Sequence, residues 1–286
     1  MRSPRRLIIC ADDFGLDIAV NEAVETAHRD GVLSSASLMV GARAAADAVE
    51  RARRLPALRV GLHLVLIDGH AVLPRAELRG LVRDNGRFED NQLRAGFRYF
   101  FTPGIRRALA AEIRAQFEAF RATGLALDHV NAHKHMHLHP TVARLMVEIG
   151  REYGMHAVRL PAEPVAVLRQ AFPDESYAGL PPGFAVAALR RRLRRAGIAC
   201  NDHVFGIAWS GGMTEARLLA LLPHLPDGVS EIYFHPAAET SPAGIGSVPG
   251  YRHAEELAAL VSPQVRRRIE EFEIRLMTYG DLTVAS

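Results

Sequence analysis

Leu7-Ile8-Ile9-Cys10-Ala11-Asp12-Asp13 is an apolar run that stops abruptly on two acids. An unbroken apolar stretch without alternation reads as a strand buried on both faces. Helical periodicity follows over residues 18–30, with Gly31 as its stop. The unit then repeats along the chain. Strands are expected at 35–40, 59–64 and 127–131, and helices at 44–54, 106–123 and 141–153. Shorter strands at 157–160, 204–208 and 231–234 alternate with helices near 184–196 and 214–222, and a helix over 263–272 precedes an apolar segment at 274–279.

Strand–helix alternation implies a parallel sheet with right-handed crossovers. This many units in one chain predict a distorted or incomplete (β/α) barrel, a single domain over residues 1–286. An open doubly wound sheet is the alternative, but no glycine-rich phosphate-binding fingerprint follows the first strand. Three segments break the rhythm: 68–104, with its aromatic stretch Phe97, Tyr99, Phe100 and Phe101, then 161–183 and 237–251, both rich in proline and glycine. Long excursions from a compact α/β core are candidate walls of a cleft.

Composition narrows the class. The 286 residues are 49% hydrophobic and 23% charged, as in ordinary globular proteins. A formal charge of +3 gives no argument for a nucleic-acid partner. Two cysteines, Cys10 and Cys200, imply no disulfide framework. Arg2, Arg5 and Arg6 before the first apolar run faintly resemble a signal peptide, but the run is too short and ends on acids. No stretch approaches the roughly 18 apolar residues of a membrane span, so the expected location is the cytoplasm.

Reactive side chains recur at strand ends. Asp12 and Asp13 follow the first strand, His63 ends the third and His133 lies just past the fourth. Arg159, Trp209 and His235 occupy the corresponding places after later strands. Carboxyl ends of parallel strands form the active face of such folds, so these groups should converge. Adjacent carboxylates repel one another unless a cation or a shared proton relieves them. Asp12–Asp13 alone is also compatible with a helix cap and turn, whereas two imidazoles plus a carboxylate make a common catalytic metal set. His133, His135, His137 and His139 would share one side of an extended chain, although Pro140 points to a loop entering a helix. A solvated histidine-rich turn is the plain alternative, and His139 reads as a bystander. His129, inside the expected fourth strand, is equally a core residue or a site residue.

Ala11-Asp12-Asp13-Phe14-Gly15, Gly61-Leu62-His63-Leu64, the His-x-His-x-His run from His133 and Phe234-His235-Pro236 together resemble the YdjC-like carbohydrate deacetylases, in the family's order and over nearly the whole chain. The stretches 132–140 and 158–164 are most similar to the hopanoid-biosynthesis-associated branch. The resemblance implies Asp13, His63 and His133 as ligands of one divalent ion, Asp12 as catalytic base and His235 as acid. Zinc, cobalt, nickel and magnesium are all compatible with that ligand set. Lys134 stands where relatives vary and alters only the charge at the cleft.

The implied chemistry is hydrolysis of an acetamido group, with Arg159 assisting the oxyanion and His235 or His135 protonating the amine. Arg159 pairing with a carboxylate, Trp209 in the core, and His137 in a supporting position are the plainer readings beside these. The implied substrate is an N-acetylated sugar, in this branch N-acetylglucosamine on a hopanoid glycolipid. The arginines at 190–195 and the aromatic stretch at 97–101 are compatible with peripheral contact at the inner membrane surface. A homodimer is compatible with the sequence as well. Two other classes stay open: a metal-dependent phosphoesterase on the same barrel, and a non-enzymatic histidine-rich metal binder, which leaves Asp12 and the distant His63 unexplained.

Overall fold

The computed structural model describes residues 5–78, 80–177, 179–238 and 250–282. In chain order the elements are β1 (Arg5–Phe14), α1 (Ile18–Asp30), β2 (Ser35–Leu38), α2 (Ala45–Arg53), β3 (Arg59–Leu64), α3 (Gln92–Phe101) and α4 (Pro103–Ala122). There follow β4 (Val130–Ala132), α5 (Pro140–Gly150), α6 (Val165–Ala171), α7 (Gly183–Ala196), β5 (His203–Phe205) and α8 (Glu215–Leu221). β6 (Gly228–Phe234), α9 (His253–Val261), α10 (Pro263–Glu271) and β7 (Arg275–Met277) complete the series.

Every pairing between these strands is parallel, in the order β4-β3-β2-β1-β6-β5. β1 is the axis of the sheet, and Leu7 to Ala11 are fully buried because helices cover its outer face and other strands its inner one. Its pairing with β2 begins only at Cys10. The edge at Arg6–Ile8 would otherwise be bare, and β7 fills it in parallel. Single bridges, Val130 to Val158 and Ala157 to Ala199, carry the sheet round from β4 toward β5. The result is the expected distorted barrel, closed on one side by bridges where full strands would stand.

Local pattern and structure part company at a few places. Residues 157–160 form bridges, not a strand, because the Leu160 N–H donates to the Asn201 side chain and Pro161 has no N–H to offer. The fourth strand is shorter than expected, yet its hydrogen bonds to β3 begin at the Asp128 N–H. The excursion at 68–104 contains α3, whose Asn91 cap accepts from the Arg94 N–H. That helix escapes a periodicity reading because Leu93, Phe97, Phe100 and Phe101 face solvent while Ala95 and Tyr99 face the core. α6 lies inside the proline-rich excursion at 161–183, and α9 follows the third one. Residues 239–249 of that third segment lie outside the described residues.

Candidate functional site

A cavity of about 200 Å³ opens at the carboxyl ends of the strands, lined by Asp12, Asp13, His63, His133, His135, Tyr233, His235 and Tyr251, among others. Consecutive strand residues normally face opposite ways. Asp12 and Asp13 both reach this cavity because the β1–β2 register shifts between Ala11 and Phe14, and Asp13 takes a left-handed φ of 62°. Such a backbone costs on the order of 1–3 kcal/mol, and Asp bears it better than most residues.

His63 projects from β3, and His133 is the first residue after β4. The Asp13 Oδ1 atom stands 3.3 Å from His63 Nε2 and 3.3 Å from His133 Nδ1, and those two nitrogens are 3.4 Å apart. Donors at the usual bond length around one tetrahedral ion are separated by about 3.3–3.4 Å. Asp13 Oδ1 is also buried without a hydrogen-bond partner, a costly state for a carboxylate oxygen. The residues present therefore fit a metal ion, and among the described residues these three have their ligand atoms close enough together to hold one.

Asp12 sits behind this triangle in a closed ionic network. Arg159, wholly buried, donates to both Asp12 oxygens at 2.5 and 2.9 Å and to both Glu231 oxygens at 2.9 and 2.6 Å. Tyr279 donates to Glu231 at 2.5 Å, and the Asn131 amide donates to Asp12 at 3.1 Å. Burial alone would raise the Asp12 carboxyl, but the charge and hydrogen bonds of Arg159 outweigh it and hold the group well below the ordinary carboxylate range. Asp12 is thereby kept ionised next to a second acid.

The remaining expected site residues divide. His135 and His235 line the cavity, and the Nδ1 atoms of both are buried without a partner. Burial pushes both imidazoles down from their ordinary value. His137 lies beneath, its Nε2 on the Arg159 carbonyl at 3.0 Å, and burial, then the Arg159 charge, push it down to about 3.

Arg159 does not assist an oxyanion, since its guanidinium is spent on Asp12 and Glu231 and stacked 4.6 Å from the Tyr233 ring centre. Trp209 is also no cavity wall: its indole N–H donates to Glu175, and Phe172 packs on its ring. The histidine run does not share one side. Left-handed Lys134 and His135, at φ 50° and 54°, kink it into a 3-10 turn, so that His133 and His135 reach the cavity while His137 turns beneath it. His139 packs against Tyr99 and Phe100. His129 is a satisfied core residue between Ser37 and Asp128, both at 3.0 Å.

Asn131, Glu231, Tyr233, Tyr251 and Glu256 escaped the sequence reading. Asn131 and Glu231 carried a signal: a fully polar residue inside an apolar strand demands a buried partner. Glu256 accepts from the backbone N–H of Met213 and of His235, holding the His235 loop in place, and burial pushes its carboxyl up to about 7. Glu163 clamps the loop after β5 in the same way through the N–H groups of 206–208.

Fold and cavity together define an α/β-barrel protein with a carboxylate and two imidazoles in metal-ligand spacing at the strand ends. The family model described as YdjC-like protein matches residues 6–271, and the chain belongs to that family. A carbohydrate deacetylase of Geobacillus stearothermophilus is 32% identical over 97% of this chain and 98% of its own length. One from Vibrio vulnificus strain CMCP6 is 31% identical over 98% of this chain and 97% of its own. A solved structure of a putative cellobiose-phosphate cleavage protein from Enterococcus faecalis shares the fold, with TM-score 0.78 and 24% identity over 98% of this chain and all of that one.

Proposed function

We propose that this chain, as one domain over 1–286, hydrolyses the acetamido group of an N-acetylated amino sugar around one divalent ion held by Asp13, His63 and His133. It is a carbohydrate deacetylase, as full-length similarity to curated deacetylases supports. The observation that carries the finer reading is the triangle of Asp13 Oδ1, His63 Nε2 and His133 Nδ1 beside an ionised Asp12. A bound zinc, cobalt, nickel or magnesium ion supplies Lewis acidity toward the acetyl carbonyl and lowers the pKa of water.

The protein's own groups do the rest. Asp12 Oδ1 accepts from both Arg159 and Asn131, whereas Oδ2 accepts from Arg159 alone and keeps a lone pair, so Oδ2 can accept a proton from the attacking water. The water oxygen bonds to the acetyl carbon, and the carbon–nitrogen bond then breaks with its electron pair leaving on nitrogen. The proton taken up by Asp12 reaches the neutral His235 imidazole through solvent in the cavity, and His235 hands it to that nitrogen, leaving both groups as they began. Acetate and a free amino sugar depart. Incubation of metal-loaded protein with an N-acetylated glycan pool should release acetate and lower product mass by about 42 units, the acetyl-for-hydrogen exchange of amide hydrolysis. Phosphate release without acetate would end this reading.

The substrate proposed within this class is N-acetylglucosamine on a hopanoid glycolipid, met at the inner membrane surface. No helix among the described residues is long and apolar enough to cross a membrane. α3, however, exposes Leu93, Phe97, Phe100 and Phe101, and its first residue, Gln92, lines the cavity. Residues 91–111 hold Arg94, Arg98, Arg106 and Arg107 and no acid. An apolar stripe with arginine flanks suits an anionic interface. Vesicles with phosphatidylglycerol should co-sediment the protein, and Phe97→Ser/Phe101→Ser should weaken this by about tenfold per phenylalanine. A dimer that dissociates in the same variant would show instead that a second copy covers the stripe.

A further inference from the structure

We infer that Asn131 is a positioning residue whose single amide orients His63 and Asp12 together; the inference rests on the metal-centre reading above. Asn131 is fully buried in β4, beside β3 and facing β1 across the barrel. Its Nδ2 lies 3.1 Å from Asp12 Oδ1 and 2.9 Å from Ser37 Oγ, and its Oδ1 lies 2.7 Å from His63 Nδ1.

Chemistry leaves this arrangement one orientation. The Asp12 carboxylate, gripped by Arg159, offers only acceptors, so the amide must turn its NH2 toward it. The carbonyl oxygen then faces His63 Nδ1 and can only accept, so the hydrogen of the ring sits on Nδ1. The lone pair is left on Nε2, the atom at the corner of the triangle with Asp13 and His133. A ligand imidazole held through its other nitrogen is the usual means by which proteins fix ring angle and tautomer. Here the same amide also fixes the neighbouring base, so ligand and base cannot drift apart independently.

Zinc titration by calorimetry into metal-free protein tests this. Asn131→Ala should weaken zinc binding by about 10–100-fold, whereas Asn131→Asp, which keeps an acceptor at Nδ1 but must share a proton with Asp12, should lose less. Circular dichroism melts establish that each variant is folded. Should Asn131→Ala not fold, nitrogen-15 histidine spectra of the zinc-loaded parent still decide the matter, with the His63 proton expected on Nδ1. A proton on Nε2, or zinc affinity unchanged in folded Asn131→Ala, overturns the role of Asn131 alone. A parent chain that binds no zinc, cobalt, nickel or magnesium overturns the metal centre and this inference with it.

Discussion

Asp12→Asn should slow acetate release by about 10²–10⁴-fold, the range for removing a general base, while bound metal stays at the parent level. The substitution keeps the shape of the side chain, removes its charge and basicity, and turns one of its acceptors into an NH2 donor. The ligand atoms of Asp13, His63 and His133 are untouched, so metal analysis separates a lost base from a lost ion. The buried Arg159 retains Glu231 as a counter-charge, so the variant should fold, with some loss of melting temperature. Parent-level turnover by Asp12→Asn would remove Asp12 from the proton transfer and leave the water to be activated by other means.

Arg159→Met should be the most damaging substitution for stability. It leaves the carboxylates of Asp12 and Glu231, both almost wholly enclosed, without the cation between them. Removing one partner of a buried ionic network costs about 3–5 kcal/mol. For a chain of this size that is a fall of roughly 5–10 °C in melting temperature. Arg159→Lys should fall between parent and Met, because lysine keeps the charge but cannot donate to both acids in a fork. Glu231→Gln in the Arg159→Met background should recover part of the loss, since it relieves one stranded charge, and the departure from additivity measures the coupling. An unchanged melting curve for Arg159→Met would show that the network carries no net stability.

Much of the architecture was written locally. The bounds of α1 and β3 agree with their expected ranges, 18–30 and 59–64, because uninterrupted apolar runs, helical period and a glycine stop are all short-range signals. The same signals placed Asp12, Asp13, His63, His133 and His235 at strand ends, and a parallel fold brings strand ends together whatever the loops do. Tertiary structure alone decided the rest. Asp12 and Asp13 share a cavity only through a register shift and a left-handed backbone, which the β1–β2 pairing imposes and a period-two pattern cannot encode. Arg159 became the partner of two acids rather than a cavity group because Glu231, from a strand 72 residues further on, meets it beneath the floor. Trp209 turned inward to Glu175, and the histidine run split apart at two left-handed residues. In each case the outcome depended on which distant group satisfied a buried charge or hydrogen bond. Periodicity tells a side chain which face of its element it occupies; the partner it finds there is fixed only when the elements pack.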